Sequence, residues 1–152
     1  MKIIGCGNPH RADDSAGIVA AERLQRLGVP AEIHTGDALS LLDMWECGDE
    51  VVLIDAVVTG APAGKVSVWE NSIPPFAPER AVSSHGFDLG GAIELGRALK
   101  RLPGRLRVYG IEGKRFGRGE SLSLEVEHAV ELVTQRIREE VMANSEAAIS
   151  RA

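Results

Sequence analysis

Two cysteines, 4% aromatic residues and no long apolar run set the first limits on this chain of 152 residues. Cys6 and Cys47 are far apart and in no C-x-x-C or metal-ligand spacing, so they read as reduced thiols, expected to be buried small hydrophobes, and exclude a disulfide scaffold. No stretch approaches the ~20 apolar residues that span a bilayer. The first residues also lack the long apolar region and small-residue cleavage site of a secretory signal, so a cytoplasmic location without a membrane partner is expected. The net charge is −5, and no Lys/Arg cluster is interleaved with aromatics, which argues against a nucleic-acid partner. Nucleotide loops are missing as well. Gly5-Cys6-Gly7-Asn8-Pro9-His10 places a histidine where a dinucleotide fingerprint needs its third glycine, and the carboxylates just beyond would repel phosphate. No nucleotide cofactor is therefore expected. No Walker loop, G-x-S-x-G elbow or H-E-x-x-H helix occurs.

What remains is an ordinary globular composition, 44% hydrophobic and 26% charged, of a length suited to one domain. The apolar pattern alternates between two periods. Lys2-Ile3-Ile4 enters a glycine turn, and Ile18, Val19, Ala20, Leu24 and Leu27 then recur at helical spacing over 14–27, stopped by Gly28 and Pro30. A short strand is expected over 31–35 and a second helix from Ala38 to near Gly48. Val51 to Val58 is the most apolar run and is rich in β-branched residues, as in a strand covered on both faces. Lys65 to Trp69 alternates after a short Gly/Pro turn and suits an antiparallel edge. Pro74, Pro75 and Pro78 mark a surface loop leading to Ser83-Ser84-His85. A helix is predicted over 86–100, a strand over 105–111, a flexible basic loop over 112–120 able to hold an anionic or peptide partner, and a last helix over about 124–142. The order is βαβαββαβα, a single α/β domain over 1–142, with 143–152 expected to fray.

Three polar residues follow or interrupt apolar strands: Asp14, Asp55 and His85. Parallel strands collect their carboxyl ends on one edge, so residues distant in sequence converge there. Two carboxylates and an imidazole suit a divalent transition metal. Each has a plainer reading. Asp14 can be a helix N-terminal acid, Asp55 a loop cap, although its burial would be costly without a partner, and His85 a residue of a helix start. Asp13 is expected to face away and bond loop amides, and Asn8 to serve the loop backbone. His10, His34 and His128 default to loop, strand surface and helix surface, with His10 close enough to be an accessory ligand.

Gly5-Cys6-Gly7-Asn8-Pro9-His10-Arg11-Ala12-Asp13-Asp14 with Gly17 resembles the opening G-x-G-N-x-x-x-x-D-D/E-x-x-G of the nickel-iron hydrogenase maturation proteases. Leu53-Ile54-Asp55-Ala56, Ser83-Ser84-His85 and Val108-Tyr109-Gly110-Ile111-Glu112 are similar to later segments of that family, as are Thr35-Gly36 and Leu41-Leu42. Ala12 and Ser15 stand where glycine is common, and His10 where an aliphatic residue is usual. The resemblance implies a three-layer, phosphorylase/hydrolase-like fold, with a twisted, mostly parallel five-stranded sheet and helices on both faces. It implies an endopeptidase, a carboxylate-dependent peptide-bond hydrolase, that trims a carboxyl-terminal extension from the hydrogenase large-subunit precursor. Asp14, Asp55 and His85 would recognise nickel supplied by the substrate. The alternative is a non-catalytic nickel-sensing or chaperone module using the same pocket.

Overall fold

The computed structural model describes residues 1–72, 89–119 and 121–151. Five strands form one sheet: β1 (Lys2–Cys6), β2 (Glu32–His34), β3 (Glu50–Val57), β4 (Val66–Glu70) and β5 (Arg105–Glu112). Their spatial order is β2-β1-β3-β5-β4, parallel throughout except for β4, which runs antiparallel to β5 at an edge. A turn as short as the one after β3 permits only that antiparallel return. The central strand β3 is buried along most of its length, as its unbroken apolar run requires.

Helices α1 (Ala16–Arg26), α2 (Ala38–Leu42), α3 (Leu89–Ala98) and α4 (Leu124–Arg151) cover both faces. Alternation along the strands divides the core. Ile3, Val52, Ile54, Tyr109 and Ile111 pack against α1 and α4, while Ile4, Cys6, Leu53, Leu106 and Val108 pack against α2 and α3. The three layers, the mostly parallel sheet and the antiparallel edge agree with expectation. Element ends differ where local chemistry intervenes. Helix α2 stops at Leu42, and Trp45 beyond it is held by its indole N–H, which donates to the Arg101 carbonyl at 2.8 Å. Helix α4 runs past Met142 to Arg151, although its buried stripe ends at Ile137. Among the described residues no helix is long and apolar enough to cross a membrane.

Candidate active site

The chain leaves β1 for β2 on one side and continues to β3 on the other, so the sheet has its switch point between the carboxyl ends of β1 and β3. Both acidic candidates lie there. Asp55 is the sixth residue of β3 and 6% exposed. Gly5 pairs with Ile54, which puts Cys6 opposite Asp55, and Cys6 in turn pairs with His34 at the end of β2. Asp55 shares a strand face with Leu53, two residues before it, and that face packs against α2 and α3. Its carboxylate is close enough to Cys6 to act on it: burial pushes the thiol well above its ordinary pKa, and the Asp55 charge pushes it further.

Asp14 arrives from the other chain segment. Residues Ala12–Ser15 form a single 3₁₀ turn ahead of α1, and this turn packs on β3. Gly17 makes the approach possible, because a Cβ there would run into the carbonyls of Ile54 and Cys6. Gly7, with φ +150°, leaves room for the Asp14 carbonyl, which accepts the Asn8 amide at 3.1 Å. The Asp14 amide donates to the Arg11 carbonyl at 2.9 Å, and Asn8 also accepts the His10 amide on its side chain at 3.0 Å. Ala12 holds φ +45°, a left-handed conformation costing roughly 1 kcal/mol at a residue with a Cβ. The backbone around Asp14 is thus fixed from both sides, while its side chain stays partly exposed.

Asp13 faces away, as the sequence suggested. It is fully buried and accepts the amides of Lys114, Arg115 and Ser123, each at 2.8 Å, together with the Ser123 hydroxyl at 2.9 Å. The expected flexible basic loop is consequently a tied one. Its Lys114 side chain pairs with Glu125 at 3.1 Å, and the Arg115 guanidinium donates to the carbonyls of Ser121 and Leu122. Two other expectations are corrected. His34 is not on a strand surface: it is buried, with Nε2 2.9 Å from the Ser40 hydroxyl, because α2 folds back over the end of β2. Cys47 is exposed where burial was expected, since it lies beyond the end of α2. Sequence reading missed Glu112, whose buried carboxylate accepts Thr59 N and Oγ1 and Gly60 N at 2.8 to 3.0 Å. A charged residue ending an apolar strand, as Asp55 nearly does in β3, was the available signal.

The turn that carries Asp14 packs on β3, the strand that carries Asp55, at the carboxyl ends of β1 and β3, and His10 and His128 are exposed. His85 lies outside the described residues, four positions before the first residue of α3 in the sequence. Among the described residues no three His, Cys, Asp or Glu side chains cluster closely enough to hold a metal. One half-exposed and one buried carboxylate at a switch point can serve as proton acceptor and as partial ligands for a cation carried in by another molecule.

These features define an open α/β protein with two acidic residues at its switch point. The family model described as hydrogenase maturation protease (HycI) matches residues 22–140. The chain belongs to the hydrogenase maturation protease family. It is 28% identical over 116 residues to the hydrogenase expression/formation protein HupD of Thiocapsa roseopersicina, which covers 72% of this chain and 52% of HupD. The chain thus spans about half the length of the curated relative it matches. In structure it is similar to the [NiFe] hydrogenase maturation protease HybD of Thermococcus kodakarensis, with TM-score 0.68, 26% identity and coverage of 93% and 99% of the two chains. The hydrogenase maturating endopeptidase HybD of E. coli shares the fold, with TM-score 0.70, 20% identity and coverage of 95% and 94%.

Proposed function

We propose that this protein is an endopeptidase that removes a carboxyl-terminal extension from a nickel-loaded hydrogenase large-subunit precursor in the cytoplasm. What supports this reading is the family match together with the placement of Asp55 and the turn carrying Asp14 at the switch point of the sheet. Nickel belongs to the substrate and serves as the recognition element. Asp14, Asp55 and His85 are assigned to grip it, which would seat the adjoining peptide bond in the crevice. Two routes to cleavage are open to these residues. A carboxylate-held metal can polarise the scissile carbonyl, or a carboxylate left free can take a proton from the attacking water. The carboxylate of Asp55 has little access to solvent, and an oxygen ligand held on a strand suits a divalent cation brought in by the substrate.

The test is direct. A nickel-loaded precursor carrying its extension is incubated with the wild-type protein and with Asp14→Asn, Asp55→Asn and His85→Ala, and tail release is followed by mass spectrometry. The wild type is expected to cut, and each variant to lose about 100-fold or more in rate, the scale of a lost acid–base group. A precursor left intact by the wild type, or cut equally well by the variants, would remove the reading. A nickel-sensing module without catalysis predicts the first of these results together with retained binding of the precursor.

A further inference from the structure

Among the described residues two buried carboxylates lie outside the proposed site: Asp13 fastens the loop that carries Asp14, and Glu112 the turn that follows the strand carrying Asp55. Asp13 is 0% exposed and Glu112 is 3% exposed. Asp13 precedes Asp14 directly and accepts Lys114 N and Arg115 N on Oδ2, both at 2.8 Å, and Ser123 N on Oδ1. Its own amide donates to the Arg115 carbonyl at 2.9 Å, and Gly119 N donates to the His10 carbonyl at 3.2 Å. The loop after β1 is therefore laced to the segment after β5. Glu112 opens that same segment. It accepts Thr59 N and Gly60 N on Oε1 and Thr59 Oγ1 on Oε2, which fixes the turn beginning four residues after Asp55. Gly113 N donates to the Val57 carbonyl at 3.1 Å and adds a backbone tie.

We infer that residues 112–115, with Ser123, form a brace that sets the position of Asp14 relative to Asp55, with Asp13 and Glu112 as positioning residues at its two pins. Carboxylates suit the task because each side chain must accept from several N–H and O–H donors and offer none. An amide of the same shape turns one acceptor into a donor facing a donor, so Asn and Gln break the pins with almost no change in volume. A brace also makes the pins interdependent. Loosening one frees the segment on which the other depends, whereas two unrelated loop ties would act independently.

The catalytic half of the test rests on the proposed function, and the other half does not. Amide hydrogen exchange is measured on wild type, Asp13→Asn, Glu112→Gln, the milder Ser123→Ala, and a control, Glu140→Gln, which alters an ion pair toward the start of β5. In Asp13→Asn, exchange is expected to rise about 10-fold at Lys114 and Arg115 and also at Thr59 and Gly60, whose bonds go to Glu112. In Glu112→Gln it is expected to rise at Lys114 and Arg115, whose bonds go to Asp13. Ser123→Ala should show the Asp13→Asn pattern at smaller amplitude, and the control neither. Faster exchange confined to each pin's own partners overturns the brace. With precursor, each pin variant is expected to lose about 10-fold in kcat with KM within about threefold, and the double variant to lose less than the product of the two. Unchanged kcat, or losses that multiply in full, overturns it as well. A wild-type protein that leaves the precursor uncut counts against the proposed function alone, and the exchange pattern then decides the brace.

Discussion

The amide and the hydroxyl of Ser123 both reach the carboxylate of Asp13, 110 residues earlier in the chain, at 2.8 and 2.9 Å. With the amides of Lys114 and Arg115 they leave this buried anion fully engaged, so the residue beside Asp14 is an anchor, while Asp14 itself stays partly exposed. Burial by itself would raise the Asp13 pKa. The hydrogen bonds from Arg115, Ser123 and Lys114 outweigh it and hold the group below the ordinary carboxylate value.

That direction fixes a dependence on pH. A carboxyl whose folded pKa lies below its unfolded value of about 3.9 contributes stability that is complete above the unfolded value and lost as pH falls through the folded one. Unfolding free energies from urea titrations should therefore fall more steeply below about pH 4 in the wild type than in Asp13→Asn. Other depressed carboxylates, such as Asp37 and Asp49, are common to both proteins and cancel. Parallel curves would show that Asp13 is not held as an anion.

Gly17→Ala separates helix propensity from packing. Propensity alone favours alanine in α1 by about 1 kcal/mol. The added Cβ would meet the Ile54 and Cys6 backbones, which the sheet holds in place, so a net loss of about 2–3 kcal/mol is expected from urea unfolding. A stabilised variant would mean that α1 does not approach the strands so closely.

The two thiols should react very differently. Cys47 is exposed, while Cys6 is buried with its pKa pushed well up by burial and by Asp55. A thiol-specific chromogenic reagent is expected to titrate one group rapidly in the native protein and the second only on unfolding. Rapid reaction of both would place Cys6 in an open crevice.

Arg107 is buried in β5 and paired with Glu140 of α4, with Glu50 a second partner at 3.6 Å. The Glu140 hydrogen bond leads the effects that raise the Arg107 pKa above its ordinary value. Glu140→Gln should cost about 1–2 kcal/mol, less than the loss of a whole buried pair because Glu50 remains. Tail release should be unaffected, since this pair lies toward the start of β5 and the crevice is at the other end of the sheet. A fall in kcat would tie the α4 ion pair to the site.

Much of the architecture was legible because burial imposes period. The apolar run of β3, the alternation of β4 and β5 and the helical spacing of α1 each name an element, and the short β3–β4 turn names the antiparallel edge. Exposed polar stretches carry no such constraint, which is why α2 and α4 end away from their expected limits. His34 was misjudged for a related reason. Its two strand neighbours, Glu32 and Ile33, are exposed, and only the return of Ser40 over the end of β2 covers the ring.

The sequence by itself determined the element order, the parallel sheet and two acids that such a sheet gathers at one edge, because strand alternation and chain direction are local properties. Tertiary structure decided which of two adjacent aspartates is buried, and that the basic loop after β5 is fastened by it. Those outcomes depend on donors 101 to 110 residues away from Asp13, and hydrogen bonds across that separation leave no periodic trace in the chain.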